Sequence, residues 1–101
     1  MSLKKQYLKS KPLCKVTFTL PKEAAAAARS AHVVGDFNNW NVRANGMKKL
    51  KDGTLAATIA LKRGKEYQFR YLLDGAIWEN DWSADKYVQN RFGSDNSVVV
   101  V

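Results

Sequence analysis

Three runs in this chain alternate apolar and polar residues with period two, and turn-forming residues separate them. Lys15-Val16-Thr17-Phe18-Thr19-Leu20 puts Val16, Phe18 and Leu20 on one side. Thr54 to Leu61 groups Leu55, Ala57, Ile59 and Leu61, while Tyr67 to Leu73 turns Tyr67, Phe69, Tyr71 and Leu73 inward and Gln68, Arg70 and Leu72 outward. Pro21, Gly35-Asp36, Asn45-Gly46, Asp52-Gly53, Arg63-Gly64-Lys65 and Asp74-Gly75 punctuate the runs. Asp52-Gly53 predicts a hairpin between Met47-Lys48-Lys49-Leu50 and Thr54 to Leu61. Further strands are expected at Ala31 to Val34 and Ser97 to Val101. The five alanines after Glu23 favour helix, but the segment is short and has no apolar stripe, so it reads as a helical turn in a loop. The pattern predicts an all-β, antiparallel β-sandwich.

The length of 101 residues fits one domain with a modest core and is too short for a catalytic barrel with its loops. The net charge is +8, and Lys4, Lys5, Lys9, Lys11 and Lys15 supply five of those positives with no acid among them. Residues 1–14 are therefore expected to form a basic, flexible N-terminal arm ahead of a sandwich domain at 15–101. The one cysteine, Cys14, makes no internal disulfide, and no Cys/His cluster offers a metal site. With no secretory apolar stretch in Met1 to Lys11 and no membrane-length segment, the expectation is a cytoplasmic protein without cofactor or metal.

Val33-Val34-Gly35-Asp36-Phe37-Asn38-Asn39-Trp40 ends a strand and delivers a tryptophan on a polar turn, where glycine tolerates positive φ and Asp or Asn bonds nearby backbone. The flanking asparagines suit a surface, so Trp40 is a candidate binding platform. The strand phase also turns Arg70 away from the core, on a rigid element from which it can address a ligand. Trp78 follows, then the acidic stretch Glu79 to Asp85, read as a long loop in which Trp82 packs. Phe92-Gly93-Ser94-Asp95-Asn96 is a further loop.

Taken in order, Gly35-Asp36-Phe37-Asn38-Asn39-Trp40, Tyr67 to Gly75 with Trp78, and Phe92 to Val99 resemble the family 48 carbohydrate-binding modules. These are early-set, immunoglobulin-like domains of isoamylases, glycogen branching enzymes and the AMP-activated kinase beta subunit. The resemblance spans about Val16 to Val101. It implies an immunoglobulin-like (early-set) fold, no catalysis, and binding of an α-1,4-linked glucan such as glycogen or starch by a monomer. It implies that Trp40 and Trp78 are aromatic platforms. Arg70 falls where the kinase-type module has a sugar-bonding lysine, Asn96 on its sugar-bonding asparagine, and Phe92 on a leucine that reaches past the glucan. This chain departs in one extra residue between Asp74-Gly75 and Trp78, in Arg for Lys at 70, and in Phe for Leu at 92. The chemistry agrees: a glucan offers apolar C–H faces and many hydroxyls, which aromatic plates and planar Arg and Asn groups complement.

Other readings compete. The module can instead dock a glycogen-metabolising enzyme without binding sugar itself. Asp74, Glu79, Asp81 and Asp85 can be combined into a glycosidase pair, but hydrolysis needs two carboxylates at a set separation in a cleft, and this stretch reads as a solvated loop. Nucleic-acid binding is disfavoured because the aromatic loop is acidic and the excess charge lies in the N-terminal segment. Arg70 competes for ion pairing with Glu79 or Asp81, and Asn96 for a turn bond to its own backbone. His32 reads as structural.

Overall fold

The structure is a computed structural model that describes residues 3–25 and 28–101. Met1, Ser2 and, within the alanine run, Ala26 and Ala27 lie outside the described residues. Two antiparallel sheets pack face to face. One has the order β1 (Leu3–Tyr7), β2 (Leu13–Leu20), β5 (Leu55–Lys62), β4 (Lys48–Lys49). The other has the order β3 (Ala31–Gly35), β6 (Glu66–Leu73), β9 (Asp95–Val100), β8 (Lys86–Gln89), and β7 (Ile77–Glu79) also pairs with β6. A single turn of helix, α1 (Lys22–Ala25), tucks Ala24 and Ala25 into the core. This is the β-sandwich that the alternation predicts, with an early-set, immunoglobulin-like layout.

The period-two side chains meet between the sheets. Phe18 of β2 and Phe69 of β6 pack edge to face with centroids 5.0 Å apart, and Tyr71 meets Phe69 at 5.6 Å. Val16, Leu20, Leu61, Val33, Leu73 and Val99 complete the core. The hairpin forms as expected at Asp52-Gly53, with Lys49 opposite Leu55 and Gly53 at φ +90°. There the Thr54 hydroxyl, and then its backbone N–H, hold the Asp52 carboxyl below its ordinary value.

Three expectations change. The segment read as a flexible arm is ordered from Leu3: β1 pairs with β2 along its whole length, Leu3 is buried in the core, and β2 begins at Leu13, inside the supposed arm. Lysine is common on edge strands, because a charged edge resists pairing with another chain. The stretch after Trp78 is not one long loop either, since Trp78 sits inside β7 and β8 pairs with β9. Trp82 does not pack away but is 56% exposed.

Candidate functional site

The Gly35 to Trp40 motif splits its two aromatic rings. Phe37, in a 3-10 turn (Asp36–Asn38), points inward and packs on Phe18 at 5.5 Å and Tyr67 at 6.2 Å. Trp40 points outward. The turn is fixed by its own polar groups: Asn38 accepts from the Gly35 N–H and donates to the Val33 carbonyl, and the Trp40 N–H donates to the Gly35 carbonyl. Gly35 itself is extended, at φ −171°. The left-handed positions are Asn39 (φ 56°) and Trp40 (φ 57°), so the backbone strain sits on the displayed residue.

Asp36 locks this arrangement. One carboxylate oxygen accepts the Trp40 indole N–H at 2.9 Å, and the other accepts the Gln68 backbone N–H at 2.8 Å, just past the end of the β3–β6 ladder. The indole is thereby spent on the protein and presents its ring faces. Replacing Asp36 by alanine is expected to cost about 1.5 kcal/mol, since two donors lose a charged acceptor. It is also expected to move the Trp40 indole resonance in ¹⁵N–¹H spectra, whereas an unmoved resonance refutes the lock.

Arg70 lies outside the core on β6, as its phase predicts, but it pairs with neither Glu79 nor Asp81. Its Nε and one terminal nitrogen donate to the Asp95 carbonyl at 3.1 and 2.7 Å, and the Asn80 amide donates to the same oxygen at 2.9 Å. That carbonyl lies where β6 changes partner from β9 to β7, so the two side chains replace ladder bonds missing at the switch. Among the described residues, the other terminal guanidinium nitrogen makes no hydrogen bond. Asn96, 8% exposed, donates to Gln68 Oε1 at 3.0 Å and accepts from the Asn90 amide at 3.3 Å. It makes no turn bond to its own backbone.

Phe92 is 79% exposed at the tip of the β8–β9 turn, with Arg91 over its ring at 5.1 Å. Trp78, opposite Leu72 in the β6–β7 pairing, is 43% exposed. These residues converge. Trp40, Arg70, Trp78, Asn90, Phe92 and Asn96 line one open groove of about 330 Å³ on the outer face of the β3-β6-β9-β8 sheet. The floor beneath is firm, because Val34, Leu72 and Val98 on this face are buried although they lie outside the main core.

Asn90 also lines the groove, without a distinctive signal in the sequence. It accepts the Phe92 and Ser94 N–H groups, which shape the tip, and it orients Asn96. An asparagine three residues before Gly93 occupies a turn position that also suits a purely structural role.

Among the described residues no carboxylate lines the groove. The acids considered for catalysis serve the fold: Asp74 accepts the Arg29 and Ser30 N–H groups, Glu79 that of Asn80, and Asp85 those of Val100 and the Lys5 ammonium. Asp81 is buried and accepts from the Tyr71 hydroxyl at 2.6 Å and the Ser83 N–H at 2.8 Å. Among the described residues no group of His, Cys, Asp or Glu is placed to hold a metal, and no helix is long and apolar enough to cross a membrane. The groove offers aromatic plates with a few amide and guanidinium donors, a surface suited to holding a polar, flat-faced ligand.

Comparison with known proteins identifies the family of the chain. The chain is similar to the 1,4-alpha-glucan-branching enzyme, chloroplastic/amyloplastic, of Oryza sativa subsp. japonica, at 34% identity over 67 residues. That match covers 59% of this chain and 8% of the enzyme, so the chain spans a small part of its relative. Residues 15–88 match the family described as carbohydrate-binding module 48 (isoamylase N-terminal domain). With that match over most of its length, the chain belongs to the carbohydrate-binding module 48 family, whose members are non-catalytic binding modules.

Proposed function

We propose that the chain binds an α-1,4-linked glucan directly, as a monomer, in the groove between Trp40 and Trp78. The observation that carries this reading is the convergence of Trp40, Arg70, Trp78, Phe92 and Asn96, from distant parts of the chain, on one groove. The sugar's C–H faces lie on the two indoles, the free N–H groups of Arg70 and Asn96 bond hydroxyls, and Phe92 bounds the rim. The turn before Trp78 runs through Asp74 and Gly75, both at positive φ, and Trp78 lies opposite Leu72. Binding on so open a surface is expected to be weak, roughly −4 to −7 kcal/mol, or millimolar to ten-micromolar. Repeated sites on a polysaccharide raise the apparent affinity. The buried free Cys14 fits a reducing, cytoplasmic setting.

The test is retention on immobilised glycogen. Trp40→Ala is expected to lose at least about tenfold in affinity, the share of one stacked ring, without loss of fold. Equal retention of wild type and variant contradicts direct binding here. It would favour the reading in which the sandwich docks a glucan-active enzyme, for which exposed apolar side chains outside the groove include Ile77 and Trp82.

A further inference from the structure

The charge excess of this chain is not scattered. The strands β1, β2, β4 and β5 carry Lys4, Lys5, Lys15, Lys48, Lys49 and Lys62 and no Asp or Glu, whereas β3 and β6 to β9 carry Glu66, Glu79 and Asp95 against Arg70 and Lys86. Register places Lys4, Lys15, Lys48 and Lys62 on the outer face of the first sheet, opposite the groove, whereas Lys5 and Lys49 share the phase of buried Val16 and Leu55 and Lys5 pairs with Asp85.

Pairing register fixes the pattern on that basic face. Lys62 lies opposite Leu13, Lys15 opposite Ala60 and Gln6, Lys4 opposite Thr17, and Lys48 opposite Ala56. Lys62, Lys15 and Lys4 thus run diagonally across β5, β2 and β1, stepping two residues along and one strand over. That is about 8 Å per step from strand spacing and rise. All three are exposed. Beside them lie small side chains, Ala56, Thr58, Ala60, Thr17 and Thr19, with the Thr17 and Thr58 hydroxyls bonded to each other at 2.9 Å. The centre is low and flat, and the cations stand above it on long stems.

We propose that this face docks an extended acidic polypeptide segment, with Asp or Glu at alternate positions lying along the Lys62-Lys15-Lys4 diagonal. An extended chain presents side chains to one face about every 7 Å, which flexible lysine stems match, and the small central residues admit its backbone. A nucleic acid is a poorer fit, because these cations are all lysines and no aromatic ring stands on this face to stack a base. A membrane is a poorer fit because no large apolar side chain projects from the centre. The face measures roughly 500 Å², short of the ~800 Å² per partner of a stable complex. Association is therefore transient and salt-sensitive.

The experiment is a ¹⁵N–¹H titration of the whole chain at low salt with a synthetic twelve-residue peptide of alternating Glu and Ser. Parallel arms use a thymidine oligonucleotide and phosphatidylserine vesicles. Expected are shifts at Lys4, Lys15, Thr17, Thr58, Ala60 and Lys62, with peptide affinity falling about tenfold in Lys15→Glu and at most about twofold in Lys51→Glu, which changes net charge equally from a loop. Thermal melting verifies that both variants are folded. Equal losses in the two variants, absence of shifts on this face, or tighter binding of oligonucleotide or vesicles to it would overturn the proposal.

Discussion

Gly35→Ala is expected to destabilise the protein by about 3 kcal/mol, through overpacking against backbone that has nowhere to go. A Cβ at this position would run into the Gln68 carbonyl oxygen and sit 2.7 Å from Phe69 Cβ and 3.0 Å from Phe69 Cα. These neighbours belong to the central strand β6, and Phe69 is fully buried against Phe18 and Tyr71. The glycine is needed for close approach of β3 to β6, not for a left-handed turn. Its carbonyl also holds the Trp40 N–H at 2.8 Å, so relief of the clash by a shift of β3 would carry the platform with it. Chemical denaturation measures the cost, against a total stability for such a domain of about 5 to 15 kcal/mol. A loss under about 0.5 kcal/mol would mean that the two strands lie farther apart than described.

Asp81→Ala is expected to cost about 3 kcal/mol, because it strands a buried phenol. The carboxylate is 2% exposed and is the acceptor for the fully buried Tyr71 hydroxyl and for the Ser83 N–H. The Asp81 main chain is held as well, its N–H by Ser97 Oγ and its carbonyl by the Tyr87 hydroxyl. Tyr71→Phe removes the stranded donor, so the double variant should lose less than the sum of the single losses. Burial first, and the facing Asp81 carboxylate second, push the Tyr71 phenol well above its ordinary value. Raising a folded-state pKa favours the protonated form. This contribution is therefore complete below the unfolded value near pH 10 and is lost as pH climbs beyond it. Melting at rising alkaline pH should show a steeper loss in wild type than in Tyr71→Phe, and additive single losses would refute the coupling.

The inner face of the sandwich was legible because period-two alternation has one physical reading when turn residues bound it. Phe18, Phe69 and Tyr71 are buried where the alternation puts them. Two edge strands were not legible. Leu3–Tyr7 contributes one buried side chain and otherwise looks like solvated lysine-rich chain, and Lys86–Gln89 has no buried residue, so neither announces its partner. At the groove, the residues with outward phase or loop placement were found. Those that orient them were not: Asp36, Gln68 and Asn80 act through bonds to segments distant in sequence, while Asn90 acts within its own turn and on Asn96, and a polar residue near a turn has a local explanation that needs no further partner. The sequence suggests a turn-forming glycine at 35, whereas the positive φ angles of this motif fall on Asn39 and Trp40.

Trp40, Trp78, Arg70, Phe92 and Asn96 are proposed to form one glucan surface. Such a surface is tested most directly by ¹⁵N–¹H titration with maltoheptaose, with cellohexaose as the control of opposite linkage. Saturable shifts are expected at the indole and side-chain N–H groups of Trp40, Trp78, Arg70 and Asn96 with the α-linked ligand, at millimolar concentration or below, and much smaller ones with the β-linked ligand. No shifts at several millimolar maltoheptaose, or saturable shifts confined to residues outside the groove, would contradict it.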